Sequence, residues 1–377
     1  MKIVFCGGGT LGHIYPSLSI IEYIRTYKKD ESFEFVYIGR DNEKEKSLIE
    51  GKNLKYYSIS CGKFRRYFSI KNLNDIIKIF RGYYQAKKIL KLEKPDIIFS
   101  KGGYVSVPVV YAAKRLNIKI ITHESDITLG LATKLNMKVA SKVLKGFPLN
   151  KKEENDSHFV YCGNPIRLEL LSFKNININE YEKKILSEYN DNFSNKIKFI
   201  IKKMNETFDS SKPIILVIGG SLGALEINQI IDKNINKLTE NYNVYHQMGD
   251  YSFREKEMPN YICTKFINEE LGYLFRKADL VISRCGANAL NEELFFQKNI
   301  LAIPLKNNSS RGEQVLNSNY YKKLGLLDVL ENSSKFMDTV EKLFDNENIR
   351  KRKESYENYD IINSNELIYE EIVDLLK

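Results

Sequence analysis

A β-rich run, a glycine-rich turn and a helical pattern occur in that order twice, and this repeat most constrains how the chain can fold. KIVFC runs into GGGTLGHIYPSL (7–18), and PIILVIGG (213–220) runs into SLGALEINQII. An apolar strand that stops at glycines and resumes as a helix opens a parallel βαβ unit, since parallel strands need a crossover. Behind the first start come candidate strands at 33–39, 54–59, 96–100, 118–122 and 158–162, with amphipathic segments near 14–28, 42–50, 72–92 and 107–116. Behind the second come strands at 242–247, 261–266, 279–283 and 299–304, and helices near 269–277, 287–297 and 313–323. The pattern predicts an α/β fold of two doubly wound parallel sheets whose loops at the strand C-terminal ends face a common cleft.

The 377 residues suit two domains. At 43% hydrophobic and 28% charged, the chain has the apolar content for packed cores. No apolar run approaches the length of a transmembrane helix, and Ile3–Cys6 lacks the h-region of a signal peptide. Five scattered cysteines, never in C-x-x-C, point to reduced thiols in a cytosolic protein. Residues 175–210 hold seven Asn between Asn175 and Asn205, and read as a linker with one embedded helix around 181–203. A last helical segment, about 361–376, has no strand after it.

The loops carry the chemistry. Gly7, Gly9 and Gly12 satisfy G-x-G-x-x-G, the fingerprint of dinucleotide binding. The acidic partner that NAD requires is misplaced, however: Asp41 comes 29 residues after Gly12. His13 then stands at the start of a helix, where an imidazole suits general base work. SKGGYVSVP (100–108) again exposes backbone at Gly102 and Gly103, followed by Tyr104. THESDITLG (122–130) crowds His123, Glu124 and Asp126 without H-E-x-x-H spacing, and D-x-D is absent from the chain, which argues against a metal. In the second half GGSLGA (219–224) offers Ser221 to a phosphate. SRCGANALNEE (283–293) sets Arg284 at the loop, with Glu292 and Glu293 two helical turns in. PLKNNSSRGEQVLNSN (304–319) adds Arg311, Gln314 and Asn317 as polar contacts for a sugar.

The net charge of +10 is concentrated. Residues 63–94 hold ten Lys and Arg against Asp75 and Glu93, a local excess of +8. Leu73, Ile76, Ile77, Phe80, Tyr83, Tyr84 and Leu90 recur there at helical spacing, the mark of a core-facing stripe. Ile79 and the Tyr83–Tyr84 pair widen that face, and Lys87 and Lys88 flank it, which also fits an interfacial helix on anionic lipid. No nucleic-acid motif is present.

Together, GGGTLGH, SKGGYVSVP, HESDITLGLATKL, GNPIR, GGSLGA, SRCGANAL and SRGEQ resemble the MurG family in order and spacing, from about Lys2 to Leu326. The resemblance implies a GT-B fold: two Rossmann-like domains, one of 1–165 plus a final helix of about 361–377, the other of 166–360. The first would bind acceptor and membrane, the second UDP-GlcNAc. It implies inverting transfer of GlcNAc from UDP-GlcNAc to the 4-hydroxyl of MurNAc in lipid I, giving lipid II and UDP in peptidoglycan synthesis. No cofactor or metal is implied, nor nucleic acid; the partners are both substrates and an anionic membrane, at whose cytoplasmic face the enzyme would be peripheral. A glycolipid glycosyltransferase, a UDP-GlcNAc epimerase and a non-catalytic nucleotide-sugar binder are the alternatives.

By matching motif, the resemblance brings Thr10, Leu11, Gly12, Asp126, Arg167, Ser221, Ile267, Arg284, Ala287, Asn288, Glu292 and Gln314 to UDP-GlcNAc. It brings Gly102, Gly103, Tyr104 and His123 to the acceptor side. His13 is favoured as base over Glu124 and Asp126. Many members read HEQN where this chain has Ser125 and Asp126.

Overall fold

A computed structural model describes residues 1–29, 32–62, 71–188, 191–220, 223–250, 252–305 and 312–377. They form two compact units: Met1–Leu168 with Ile362–Lys377, and Glu169–Ile361.

The first unit runs β1 (Lys2–Cys6), α1 (Leu11–Tyr27), β2 (Glu34–Arg40), α2 (Glu43–Glu50), β3 (Lys55–Ile59), α3 (Lys71–Glu93), β4 (Ile97–Ser100), α4 (Ser106–Arg115), β5 (Lys119–Glu124), α5 (Leu131–Asn136), β6 (Lys142–Lys145) and β7 (Phe159–Tyr161). All seven strands are parallel, in the order β3-β2-β1-β4-β5-β6-β7. Both faces are covered, so alternate residues of one strand enter different cores. Ile3, Phe5, Tyr37, Phe99 and Ile121 pack with Ile14, Leu18 and Ile21 of α1. Val4, Cys6, Val36, Ile38 and Ile98 pack with Ala86 and Leu90 of α3 and Val109 and Ala113 of α4. The order reverses between β1 and β4, which puts the loops after β1, β4 and β5 at the switch point where α/β sheets bind ligands.

The second unit runs α6 (Leu168–Leu171, straddling the divide), α7 (Ile178–Glu188), α8 (Asn192–Thr207), β8 (Ile214–Ile218), α9 (Leu225–Asn241), β9 (Asn243–Gln247), β10 (Tyr261–Thr264), α10 (Leu271–Lys277), β11 (Leu280–Ser283), α11 (Ala287–Phe295), β12 (Asn299–Ala302), α12 (Glu313–Lys323), β13 (Asp328–Val329), α13 (Phe336–Leu343) and α14 (Asn346–Glu357). Its parallel sheet has the order β10-β9-β8-β11-β12-β13, with the reversal between β8 and β11. Residues 175–210, expected as a linker with one helix, instead form two helices that belong to this unit. Ile197, Ile200, Ile201 and Met204 bury the inner face of α8, and Tyr273 of α10 donates to Glu182 at 2.6 Å.

The closing helix α15 (Ser364–Leu376) packs on the first unit. Ile368 and Ile372 join the α1 core, Lys28 meets Glu366 at 2.7 Å, and Asn365 pairs with both backbone groups of Ile166. The five cysteines are unpaired, and all but Cys61 are buried.

Candidate functional site

In the first unit two glycine turns interlock. A Cβ built on Gly103 would stand 2.7 Å from Gly8 O and 3.1 Å from His13 Cδ2, so only glycine fits there, at φ +73°. Tyr104 packs in turn on Gly9, where an added Cβ would meet its Cε1 at 2.7 Å. Thr10 is the N-cap of α1. It is exposed with Gly12, while Leu11 and His13 are half-buried in the first helical turn.

Glu45 decides the dinucleotide question at this loop. Its carboxylate is buried beneath the turn, accepts from Gly9 N at 3.3 Å and from Arg40 Nε at 2.7 Å, and Arg40 reaches the Tyr104 hydroxyl at 3.4 Å. A carboxylate on the backbone N–H that a pyrophosphate would use makes the literal G-x-G-x-x-G a poor dinucleotide site.

The end of β5 and the loop after it give two of the candidate residues structural hydrogen bonds. His123 has no exposed surface; its Nε2 lies 2.8 Å from Gly163 O and its Nδ1 2.6 Å from Lys101 Nζ. A carbonyl only accepts, so Nε2 carries the proton. Burial and the Lys101 charge hold this ring well below the usual imidazole range. His123 is therefore a buried neutral ring held between Lys101 and Gly163. Glu124 is also buried, and its carboxylate accepts from Gly130 N at 2.8 Å, Thr133 Oγ1 at 2.6 Å and Asp126 N at 3.3 Å. It anchors the turn that leads into α5, an employment that argues against the base role considered for it. Asp126 is half-exposed at the tip. Arg167, assigned from sequence to the second domain, falls just inside the first unit and is half-buried.

In the second unit Gln247 and Arg284 brace the glycine turn after β8. Gln247 Nε2 donates to Gly220 O at 2.8 Å, and Arg284 Nη1 to Gly223 O at 3.4 Å. Gln247 Oε1 accepts from Ile267 N at 3.0 Å, so a nucleobase using that N–H would have to displace it. Burial pulls the Arg284 guanidinium below its usual range. Ser221 and Arg311 lie outside the described residues. Cys285 turns the chain at φ +60°, a strained conformation for a side chain with Cβ, and Gly286 then caps α11. Ala287 and Glu292 are buried and Asn288 is half-buried on that helix. Glu293 has no exposed surface and accepts from Ser283 Oγ at 3.0 Å. Gln314 Oε1 accepts from Leu305 N at 3.0 Å, and Asn317 is buried.

On α3 the core-facing reading holds only for the far end. Ala86 and Leu90 are buried, whereas Ile76 is 38% exposed, Ile77 61%, Phe80 62% and Tyr84 67%; Ile79, Tyr83 and Lys87 are half-buried, and Lys88 is exposed. A Cβ built on Gly82 would clash with Ser60 O, so that turn of the helix lies close against the backbone at Ser60. The side chains of 71–73 lie outside the described residues, as do residues 63–70. No described helix is long and apolar enough to cross a membrane.

Sequence reading missed Lys101, Gln247 and the Arg40–Glu45 pair. Lys101 alone left a signal, as a charge at an apolar strand's end before Gly-Gly.

The glycosyltransferase family 28 N-terminal domain matches residues 3–145, and that family's C-terminal domain matches 214–367. The chain is 40% identical over 349 residues to a UDP-N-acetylglucosamine–N-acetylmuramyl-(pentapeptide) pyrophosphoryl-undecaprenol N-acetylglucosamine transferase of Clostridium novyi, covering 91% of this chain and 90% of the relative. The like-named protein of Clostridium botulinum (strain Hall) is 40% identical over 366 residues, 97% and 93% of the two chains. Among solved structures, Acinetobacter baumannii MurG superposes with a TM-score of 0.70 at 20% identity, over 100% of this chain and 98% of that one. The UDP-GlcNAc 2-epimerase of Neisseria meningitidis, bound to UDP-GlcNAc, gives 0.62 at 14% identity, over 99% and 100%. At those identities the structural likenesses speak to fold alone.

Proposed function

The chain belongs to glycosyltransferase family 28, in its MurG branch, and we propose that it transfers GlcNAc from UDP-GlcNAc to the 4-hydroxyl of MurNAc in lipid I, forming lipid II and UDP. The observation that carries this is 40% identity over about nine-tenths of the chain to transferases of that name. Epimerases share the fold, so fold alone would not separate the two activities.

The reaction is a single inverting displacement. The acceptor oxygen forms a bond to C1 of GlcNAc as the C1–O bond to the β-phosphate of UDP breaks, and the hydroxyl proton passes to a base. UDP is assigned to the second unit. The N-termini of α9 and α11 offer N–H groups and dipoles to its phosphates, where charge builds as it leaves. Ser221, Arg284 and the α11 segment with Ala287, Asn288 and Glu292 complete that site, with Ile267 at the base and Gln314 at the sugar. The first unit takes the acceptor. With Glu124 committed to three hydrogen bonds, the base is His13 or Asp126, and we assign His13, half-exposed in the first turn of α1. Thr10, Leu11 and Gly12 line the approach.

The membrane supplies the acceptor. The exposed Ile76, Ile77, Phe80 and Tyr84, with Arg81 and Lys88 beside them, suit a helix face lying in an anionic surface. The enzyme would thus work as a peripheral protein at the cytoplasmic face.

The test is transfer of labelled GlcNAc from UDP-GlcNAc to a lipid I analogue, with UDP-glucose and UDP-GalNAc as controls. Lipid II and UDP in equal amounts are expected; UDP-sugar isomerisation without acceptor would instead favour the epimerase. His13→Ala should abolish most turnover, on the order of 10²–10⁴-fold. Near-normal turnover in His13→Ala, with loss in Asp126→Ala, would transfer the base role to Asp126.

A further inference from the structure

Lys101 follows β4 directly and is only 2% exposed, one of the largest fully buried side chains of the protein. A lysine so deep needs partners that repay its desolvation. It has them at the end of β5 and on the loop after it: Nζ donates to His123 Nδ1 at 2.6 Å and to Ser125 Oγ. The acceptor role of Nδ1 is fixed from the other side, because His123 Nε2 donates to Gly163 O. Ser125 O in turn accepts from Asn164 Nδ2 at 3.0 Å, so the residue before Asp126 is gripped through side chain and backbone.

The charges around Lys101 come from every element packed there. Glu124 and Asp126 pull it toward the protonated form; His123 is neutral, and burial pushes the Cys162 thiol up and keeps it uncharged. Burial outweighs the carboxylates and brings the ammonium down to about 8. The transfer mechanism gives this cation no step.

We infer that Lys101 is a positioning residue of the transfer: its buried ammonium holds the Ser125–Asp126 turn and balances the Asp126 charge, so that this turn keeps its shape at the acceptor side. The inference rests on the reading that Asp126 lies in the transfer site.

The test compares wild type, Lys101→Met, Asp126→Asn and the double variant for turnover of a lipid I analogue between about pH 6.5 and 9.5. UDP binding by calorimetry and hydrogen exchange at residues 124–130 are measured alongside. Methionine matches the length of the stem without charge. Lys101→Met is expected to lower kcat on the order of 10²-fold, as small misplacements of a working group do, with UDP affinity unchanged. Wild-type activity should fall above pH about 8 as the ammonium loses its proton, and Lys101→Met should lack that alkaline fall. Asp126→Asn should cost less in the Met background than in wild type, because the two charges act as a pair. A Lys101→Met enzyme with wild-type kcat and pH profile overturns the inference, as do effects that multiply independently. Exchange at 124–130 rises in Lys101→Met if the ammonium holds the turn and is unchanged if it does not. A wild type inactive on lipid I that still shows this exchange difference would overturn the functional reading and leave the positioning standing. Should Lys101→Met not fold, Ser125→Ala removes one arm of the same grip and must lower kcat with raised exchange at 124–130; full kcat with unchanged exchange there overturns the inference.

Discussion

The imidazole of His13 rests on bare backbone at Gly103: a Cβ there would come within 3.1 Å of its Cδ2 and 3.3 Å of its Nε2. One glycine turn thereby sets the position of the proposed base on the other. Gly103→Ala should act twice, through that clash and through the φ of +73° that an L side chain resists. The expected outcome is a stability loss of more than about 1 kcal/mol, read as a melting shift of a few degrees. Turnover should drop further than the residual folded fraction explains, while UDP binding stays. Unchanged kcat in the folded fraction would detach His13 from the chemistry.

Glu124 offers a contrast with His13. Its carboxylate satisfies two backbone N–H groups and the Thr133 hydroxyl, so Glu124→Ala strands one buried and two part-buried donors rather than removing a proton acceptor. Each stranded donor costs about 1–3 kcal/mol, and the melting temperature should fall clearly. His13→Ala, at a half-exposed position, should leave melting nearly unchanged while removing turnover. Chemical denaturation of both variants, paired with kcat, separates the two roles.

Most strands of both sheets were legible because buried parallel strands are short apolar runs that end at glycine or polar residues; the two-residue β13 was too short to leave such a run. β6 escaped because KVLK carries two lysines; Lys145 is buried there through an ion pair with Glu153 at 3.0 Å, a contact that appears only after folding. One helix was expected around 181–203; that the segment forms two helices packed into the second unit was hidden by Asn- and Lys-rich composition, although Ile197, Ile200, Ile201 and Met204 keep helical spacing. In the candidate site, glycines that backbone geometry demands stood out, as at Gly9 and Gly103. Pairings across loops did not: Glu45 reaches Gly9 over 36 residues and Lys101 reaches His123 over 22. Local pattern does not show which residues such contacts join, which is why the burial of His123 between Lys101 and Gly163 could not be read from the sequence.

Membrane association should reside on the outer face of α3. Phe80 and Tyr84 are mostly exposed, and burying a side chain of that size in lipid is worth about 1.5–3 kcal/mol. Phe80→Ser with Tyr84→Ser should therefore weaken binding to vesicles by more than tenfold, whatever the lipid charge. Replacing Lys87 and Lys88 with Glu should weaken binding only to anionic vesicles, and less so at high salt. Vesicle co-sedimentation at two salt concentrations reads both. Equal binding by all variants would move the membrane contact off this helix.

Glu293 gives a prediction about pH. Burial pushes its carboxyl up to about 8 from an ordinary 4.5; Ser283 opposes the shift, and Oε1 has no hydrogen-bond partner among the described residues. Between those two values the folded protein holds a proton that the unfolded chain has released. Its stabilising contribution is therefore complete below about 4.5 and is lost as pH rises to about 8, at up to about 1.4 kcal/mol per pH unit. His246, buried and brought down to about 3, has the opposite sign: its contribution is present above the ordinary imidazole range and fades as pH falls. The comparison must hence be between wild type and Glu293→Gln, where His246 cancels. Glu293→Gln keeps the shape and cannot ionise, so its stability should gain on wild type steadily from pH 5 to 8 and run parallel above that window. Urea unfolding at several pH values measures the difference, and a constant gap across the window would mean that Glu293 is ionised in the folded protein.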